Sequence, residues 1–270
     1  MRPTDDPTDT TPGLLLTGER TLPDIPDERY WFQRHVVAYE HAARHVRTLA
    51  TDRRPITVLD AGCGEGYGLA MLADAGASRV VGVDLEAPVV DHVGVTYAAR
   101  DRRIEAVRAD LTSLPLPTDS VDAAVSFQVI EHLHDIPGYL AELVRVTRPG
   151  GQVLIATPNR LTFTPDSDVP VNPFHIREFT AAELRAELDG AGLVVDDLLG
   201  VHHCLRLREL AHERGRPITD LLTATPPDQW DDGLRHAVHA TEPSDFDLRA
   251  DGLDASLDLL AIARVPGDGR

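Results

Sequence analysis

The stretch that decides the fold runs Val58-Leu59-Asp60-Ala61-Gly62-Cys63-Gly64-Glu65-Gly66-Tyr67-Gly68. A short apolar run ends on an aspartate, glycines follow at alternate positions, and a helical stretch begins directly after them. This is the pattern of a buried strand that turns through a glycine loop into a helix. Glycines at 62, 64 and 66 let the backbone approach a ligand where a β-carbon would collide. The spacing is G-x-G-x-G, which differs from the G-x-G-x-x-G of the dinucleotide fingerprint.

Outward from this loop, apolar runs alternate with helical stretches. Strands are predicted at 56–61, 80–84, 104–108, 123–127 and 153–156, with helices between them at 67–76, 87–100 and 137–147. Near-continuous apolar strands alternating with helices indicate an α/β fold with a parallel sheet covered on both faces. An amphipathic helix at 30–49 precedes the first strand, a helix at 180–191 and a strand at 194–199 follow the fifth, and a closing strand spans 256–264. Residues 1–28 are rich in Pro, Thr and Asp and read as a disordered or extended segment. Residues 29–270 read as a single domain with a lid-like loop at 158–176 and an acidic helical insertion at 203–250. Acidic residues close successive strands. Asp84 is placed to accept hydrogen bonds from ribose hydroxyls, and Asp110 with Leu111 is placed to bracket an adenine amine. Asp60 also reads as a helix cap, and Asp110 as a simple turn residue.

The 270 residues carry 44 acidic and 26 basic side chains, for a net charge of −18, and every basic residue is arginine. That balance excludes general attraction to nucleic-acid phosphate or to an anionic membrane surface, both of which need clustered cations. Neutral or cationic small molecules are the easier partners. The absent lysine fits a GC-rich genome. Cys63 and Cys204 give no disulfide framework. The longest early apolar run, 14–16, is too short for a signal peptide or a membrane span, so a soluble, cytoplasmic protein is expected.

The glycine loop with three acidic strand ends resembles the class I S-adenosylmethionine-dependent methyltransferases. So do Ala-Val-Ser-Phe-Gln-Val-Ile-Glu-His132 after strand four and Arg148-Pro-Gly-Gly151 before strand five. The resemblance implies a Rossmann-like fold with a mostly parallel seven-stranded sheet, and S-adenosyl-L-methionine as cofactor. It further implies that Asp60, Gly62, Gly64 and Gly66 line the methionine part of the cofactor. Asp84 then holds the ribose, Asp110 and Leu111 meet the adenine, and Gln128 faces the sulfonium. Cys63 stands where this family commonly has cysteine and reads as packing.

Methyl transfer is a direct displacement that needs nucleophile, methyl carbon and sulfur in line. For a hydroxyl acceptor a general base helps, and histidine suits neutral pH. His132, after strand four, and His175, in Asn172-Pro-Phe-His-Ile-Arg-Glu178, are the catalytic candidates, ahead of His134. Trp31 and Arg34 on the first helix are candidates for substrate binding, by stacking on a sugar face and by meeting the cofactor carboxylate. Ordinary helix-to-sheet packing explains Trp31 equally well. Gln128-Val-Ile-Glu131-His132 with His175 also resembles the magnesium site of small-RNA methyltransferases. With Gln128 in place of the first glutamate, one carboxylate is missing and no metal is expected.

Leu16-Thr-Gly-Glu-Arg20, Tyr30-Trp-Phe-Gln-Arg-His35, Thr157-Pro-Asn-Arg160, Val171-Asn-Pro-Phe-His175 and Leu257-Asp-Leu-Leu-Ala-Ile262 extend the likeness. Together they resemble an actinobacterial group linked to methylglucose lipopolysaccharide, which implies O-methylation of glucose 6-hydroxyls and a small-molecule or oligosaccharide acceptor. Two other readings stay open: a small-molecule O- or C-methyltransferase of secondary metabolism, and a catalytically silent module that binds the cofactor.

Overall fold

The computed structural model describes Leu14, residues 20–50 and residues 54–267. Most of the segment expected to be disordered or extended lies outside the described residues. Among the described residues eight strands form one sheet: β1 (Thr57–Ala61), β2 (Arg79–Asp84), β3 (Ile104–Arg108), β4 (Val121–Phe127), β5 (Thr147–Pro158), β6 (Val194–His203), β7 (Phe246–Arg249) and β8 (Asp258–Arg264). Their order is β3-β2-β1-β4-β5-β8-β6-β7. β1 to β5 pair in parallel, β8 runs antiparallel to β5 and β6, and β7 antiparallel to β6.

This is the Rossmann-like α/β sheet that was expected, with eight strands rather than seven. The additional strand, β7, falls in the stretch read as helical insertion. Phe246 is buried and Asp247 exposed, so the strand does alternate, but over only four residues. It forms because the edge of β6 offers unpaired backbone from Gly200 to His203, a partner that no local pattern reveals.

Strand parity sorts the core into two layers. Val58, Val80, Val125, Leu154 and Leu260 pack with α1 (Arg29–Leu49), α2 (Tyr67–Asp74) and α3 (Ala87–Val93). Their neighbours Leu59, Val81, Ala124, Val153 and Leu259 point the other way, onto α4 (Ile136–Val146) and α6 (Ala181–Gly190). The short turn α5 (Arg160–Phe163) opens the loop after β5. Asp135 caps α4 by accepting from Gly138 N, and Thr180 with Glu183 forms a capping box on α6. A third cluster joins Tyr30 and Val37 of α1 to α7 (Leu205–Arg214), α8 (Ile218–Ala224) and α9 (Asp232–His239). α1 thereby packs on the sheet with one half and on the insertion with the other.

The strand order reverses between β1 and β4, so a crevice opens at the carboxyl ends of those two strands, where such sheets bind ligands. α1 is tied across this edge by a buried ion pair. Arg34 donates to both carboxylate oxygens of Asp258 at 2.5 Å and to the Leu257 carbonyl oxygen at 2.8 Å, with the two side chains only 3% and 2% exposed. Removing one partner leaves a buried charge uncompensated, which typically costs about 3–5 kcal/mol. Asp258→Ala should therefore destabilise the protein by that order in urea denaturation. The double variant Arg34→Met/Asp258→Leu should recover most of the loss; a double variant no better than the single one would contradict the assignment.

Candidate functional site

β1 ends in Asp60, and the chain turns through Gly62, Gly64 and Gly66 with φ of +84°, +52° and +102°. At Gly62 a β-carbon would collide with the Val129 side chain, so packing and the positive φ both favour glycine. At Gly64 a β-carbon would meet no described residue within 4 Å. The loop is held on both sides. Gly62 N and Cys63 N donate to the Val83 carbonyl oxygen, and Gly64 N donates to Asp84 Oδ2 at 3.1 Å. Glu65, which is buried, accepts from Tyr97 Oη and bonds His92 Nε2, pinning the loop to the segment after β2. Cys63 is a buried packing group, and burial pushes its thiol up, away from nucleophilic use.

Asp60 is fully buried and accepts from Tyr39 Oη at 3.1 Å. Burial raises its carboxyl to about 7, against the pull of the tyrosine hydroxyl. Asp84 Oδ1 accepts from Glu86 N at 3.0 Å, and burial raises this carboxyl as well. Asp110 behaves differently. Its Oδ1 accepts from Thr112 N and Thr112 Oγ1, which lowers its pKa and makes the side chain a turn brace. Leu111 is buried in the core beside it.

Across the crevice, β4 runs into Gln128, whose φ of +57° is rare for a residue with a β-carbon. Its Nε2 lies 3.4 Å from Asp258 Oδ1, the same carboxylate that holds Arg34. Beyond Gln128, a cavity of about 320 Å³ is lined by Trp31, Arg34, Glu131, His132, Phe163 and His175, among others. Trp31 packs edge-on against Tyr30, with the Arg34 guanidinium 5.6 Å from its ring centre. Arg34 thus faces the cavity with its charge already matched by Asp258. A direct grip on a cofactor carboxylate, as anticipated from sequence, would have to compete with that pair.

His132 and His175 meet ring to ring at 4.9 Å. His132 Nδ1 lies 3.1 Å from the Phe174 carbonyl oxygen, and burial lowers this imidazole's pKa. His175 Nδ1 lies 2.8 Å from Glu178 Oε1, and its Nε2 lies 3.0 Å from Asn172 Nδ2. Glu131 is 1% exposed, and burial raises its carboxyl to about 7. The loop after β5 supplies Phe163, Asn172 and His175 and is anchored where Ile176 N donates to the Glu131 carbonyl oxygen at 2.7 Å. Within the segment read as extended, residues 20–28 run beside the same cavity: Arg20 pairs with Glu86 at 2.7 Å and Thr21 Oγ1 lies 3.3 Å from His35 Nδ1.

The structure therefore brings Gln128, His132, His175, Trp31 and Arg34 around one cavity, while Asp60, the glycines and Asp84 stand at and just beyond the carboxyl ends of β1 and β2. Sequence reasoning missed Asp258, Glu178 and Asn172. Asp258 pairs with a residue 224 positions away, which no local spacing signals.

Comparison with known proteins agrees with the fold. The methyltransferase domain family matches residues 59–155. A probable S-adenosylmethionine-dependent methyltransferase of Mycolicibacterium smegmatis is 45% identical over 267 residues, 97% of this chain and 99% of the relative. One from Mycobacterium tuberculosis is 44% identical over 259 residues, covering 94% and 90%. Among solved structures, the geranyl diphosphate C-methyltransferase of Streptomyces coelicolor aligns with a TM-score of 0.55 at 18% identity, over 83% of this chain and 78% of that one. The [4+2]-cyclase SpnF aligns at 0.56 and 19% identity, over 84% and 81%. At such identities both share the fold.

The raised carboxyl of Asp60 has a sign that can be checked. The unfolded chain releases this proton near the ordinary 3.8, the folded one near 7. Stability is therefore lost as pH rises across that window and is level above it. Asp60→Asn removes the burden, so its gain in melting temperature over the parent chain, measured without ligand, should grow from pH 5 to pH 8. An equal difference at both ends would mean that Asp60 ionises normally.

Proposed function

The chain belongs to the S-adenosylmethionine-dependent methyltransferases, and from that premise we propose that it methylates a hydroxyl of a sugar, on an oligosaccharide of glucan type. The observation that carries this reading is the cavity next to Gln128. It combines aromatic walls, Trp31 and Phe163, with the hydrogen-bonding groups of Asn172, Glu131, His132 and His175. Aromatic faces suit the C–H face of a pyranose, and neighbouring polar groups suit its hydroxyls. The net charge of −18 disfavours nucleic acid and suits a neutral acceptor.

Within this reading the cofactor lies in the crevice. Asp60, Gly62, Gly64 and Gly66 line its methionyl part, and the open side of Gly64 gives it room. Asp84, steadied by two backbone N–H groups, takes the ribose hydroxyls. Asp110 and Leu111 border the adenine, through the backbone of a turn whose side chains are already engaged. Gln128, fixed in its left-handed conformation, faces the sulfonium. S-adenosyl-L-methionine supplies an electrophilic methyl carbon on a sulfonium leaving group. With it bound, the acceptor oxygen would take the methyl carbon as the carbon–sulfur bond breaks, the neutral thioether would leave, and the hydroxyl proton would pass to solvent. Trp31 and Phe163 orient the acceptor, while activation of its hydroxyl falls to His132 and His175.

Incubation with methyl-labelled S-adenosylmethionine and a panel of glucose oligomers should place label on a glucose hydroxyl. Label in another metabolite class, with none in glucans, would favour a small-molecule O- or C-methyltransferase and overturn the sugar reading. Asp84→Ala should weaken cofactor binding by at least about tenfold in calorimetry, the loss of a charge-assisted hydrogen bond. His132→Ala should lower turnover far more than cofactor affinity. Equal losses in both would place His132 in cofactor binding instead.

A further inference from the structure

Glu131, His132 and His175 each bring a ligand atom to one place, all within 4.8 Å of one another. Glu131 and His132 come from the 3-10 turn Ile130–His132 after β4, and His175 comes from the loop after β5. The meeting is therefore a product of the fold.

Two further features give this meeting a purpose. Glu131 is buried to 1% exposure, yet among the described residues only one of its oxygens is engaged: Oε2 accepts from Thr157 Oγ1 at 2.9 Å, while Oε1 meets no hydrogen-bond donor there. A buried carboxylate oxygen without a donor is costly, and a bound cation is one way to satisfy it. The histidines are also oriented from behind. The Phe174 carbonyl oxygen faces His132 Nδ1, and the carboxylate of Glu178, 3% exposed, faces His175 Nδ1. An acceptor opposite Nδ1 holds the ring proton there and puts the lone pair on Nε2, as outer partners of metal-ligating imidazoles do. Asn172 Nδ2, 3.0 Å from His175 Nε2, donates to that lone pair and is the group that a cation would displace.

We infer that Glu131, His132 and His175 form a site for one divalent transition-metal ion, with its remaining coordination positions facing the acceptor cavity. Two imidazoles and one carboxylate suit manganese, iron, cobalt or zinc better than calcium or magnesium, which prefer all-oxygen shells. The same three residues line the cavity, so a hydroxyl entering it meets the open positions. Gln128 stands outside the set because its amide is directed to Asp258. The absence of a glutamate at that position therefore does not remove the site. The role of the ion rests on the reading of this cavity as the acceptor site: it lowers the pKa of the bound hydroxyl, so that the proton leaves to water as the oxygen takes the methyl group.

The test uses the full chain, stripped with a chelator and titrated with Co²⁺ alone, without acceptor. One equivalent of Co²⁺ should bind, with visible absorption showing nitrogen ligation, and Zn²⁺ should displace it. His175→Ala and, separately, Glu131→Gln should each weaken Co²⁺ binding by at least tenfold while S-adenosylmethionine binding, which probes the folded state, stays within twofold. Absence of stoichiometric Co²⁺ binding, or binding untouched by both substitutions, overturns the site. Glucan methylation at full rate by the stripped protein, unchanged by added Mn²⁺, Co²⁺ or Zn²⁺, overturns its role and leaves the sugar reading standing. Tight Co²⁺ binding with no glucan product does the reverse.

Discussion

A sheet whose parallel strands are buried on both faces has no room for polar chemistry except at its ends, and the placement of the candidate site follows from that constraint. All seven residues of β4 are buried, and β1 and β2 are nearly as enclosed. Charged and hydrogen-bonding groups are accordingly displaced to the carboxyl edge: Asp60 and Asp84 at the ends of β1 and β2, Gln128 beyond β4, Thr157 at the end of β5. The reversal of strand order between β1 and β4 parts the flanking loops and leaves the crevice there.

The antiparallel half of the sheet completes that edge from the opposite direction. β8 enters where β5 leaves, with Asp258 paired in register with Pro158, so the start of the last strand lies beside the ends of the others. Its carboxylate then meets Arg34 from α1 and the amide of Gln128. One buried aspartate thus couples the helix that covers the cavity to the residue that borders both crevice and cavity. The low dielectric around it makes that coupling strong and makes the loss of either charge expensive.

Burial also sets the electrostatic character of the two halves. Asp60 and Glu131 are each held near 7 by desolvation, one in the crevice and one under the cavity. Carboxyls in such surroundings gain most from a cation brought close to them. In the function proposed above a sulfonium cofactor lies beside the first, and in the proposed metal site a divalent ion lies beside the second. The net charge of −18, by comparison, belongs to the whole chain rather than to either half.

Much of this was legible in local patterns. Strand period, the glycine loop and the acid closing β2 are all expressed within a few residues, because the backbone geometry they require is local. The positive φ at Gly62, Gly64 and Gly66 follows from that stretch alone. Asp110 could be read two ways from sequence, and only the placed Thr112 showed its side chain bracing a turn. Tertiary structure alone decided the rest. β7 exists because β6 offers it an edge, Arg34 is matched because Asp258 arrives 224 residues later, and His175 is oriented because Glu178 is buried behind it. These are contacts between groups whose attraction depends on distance and desolvation, and neither quantity is written in the order of residues.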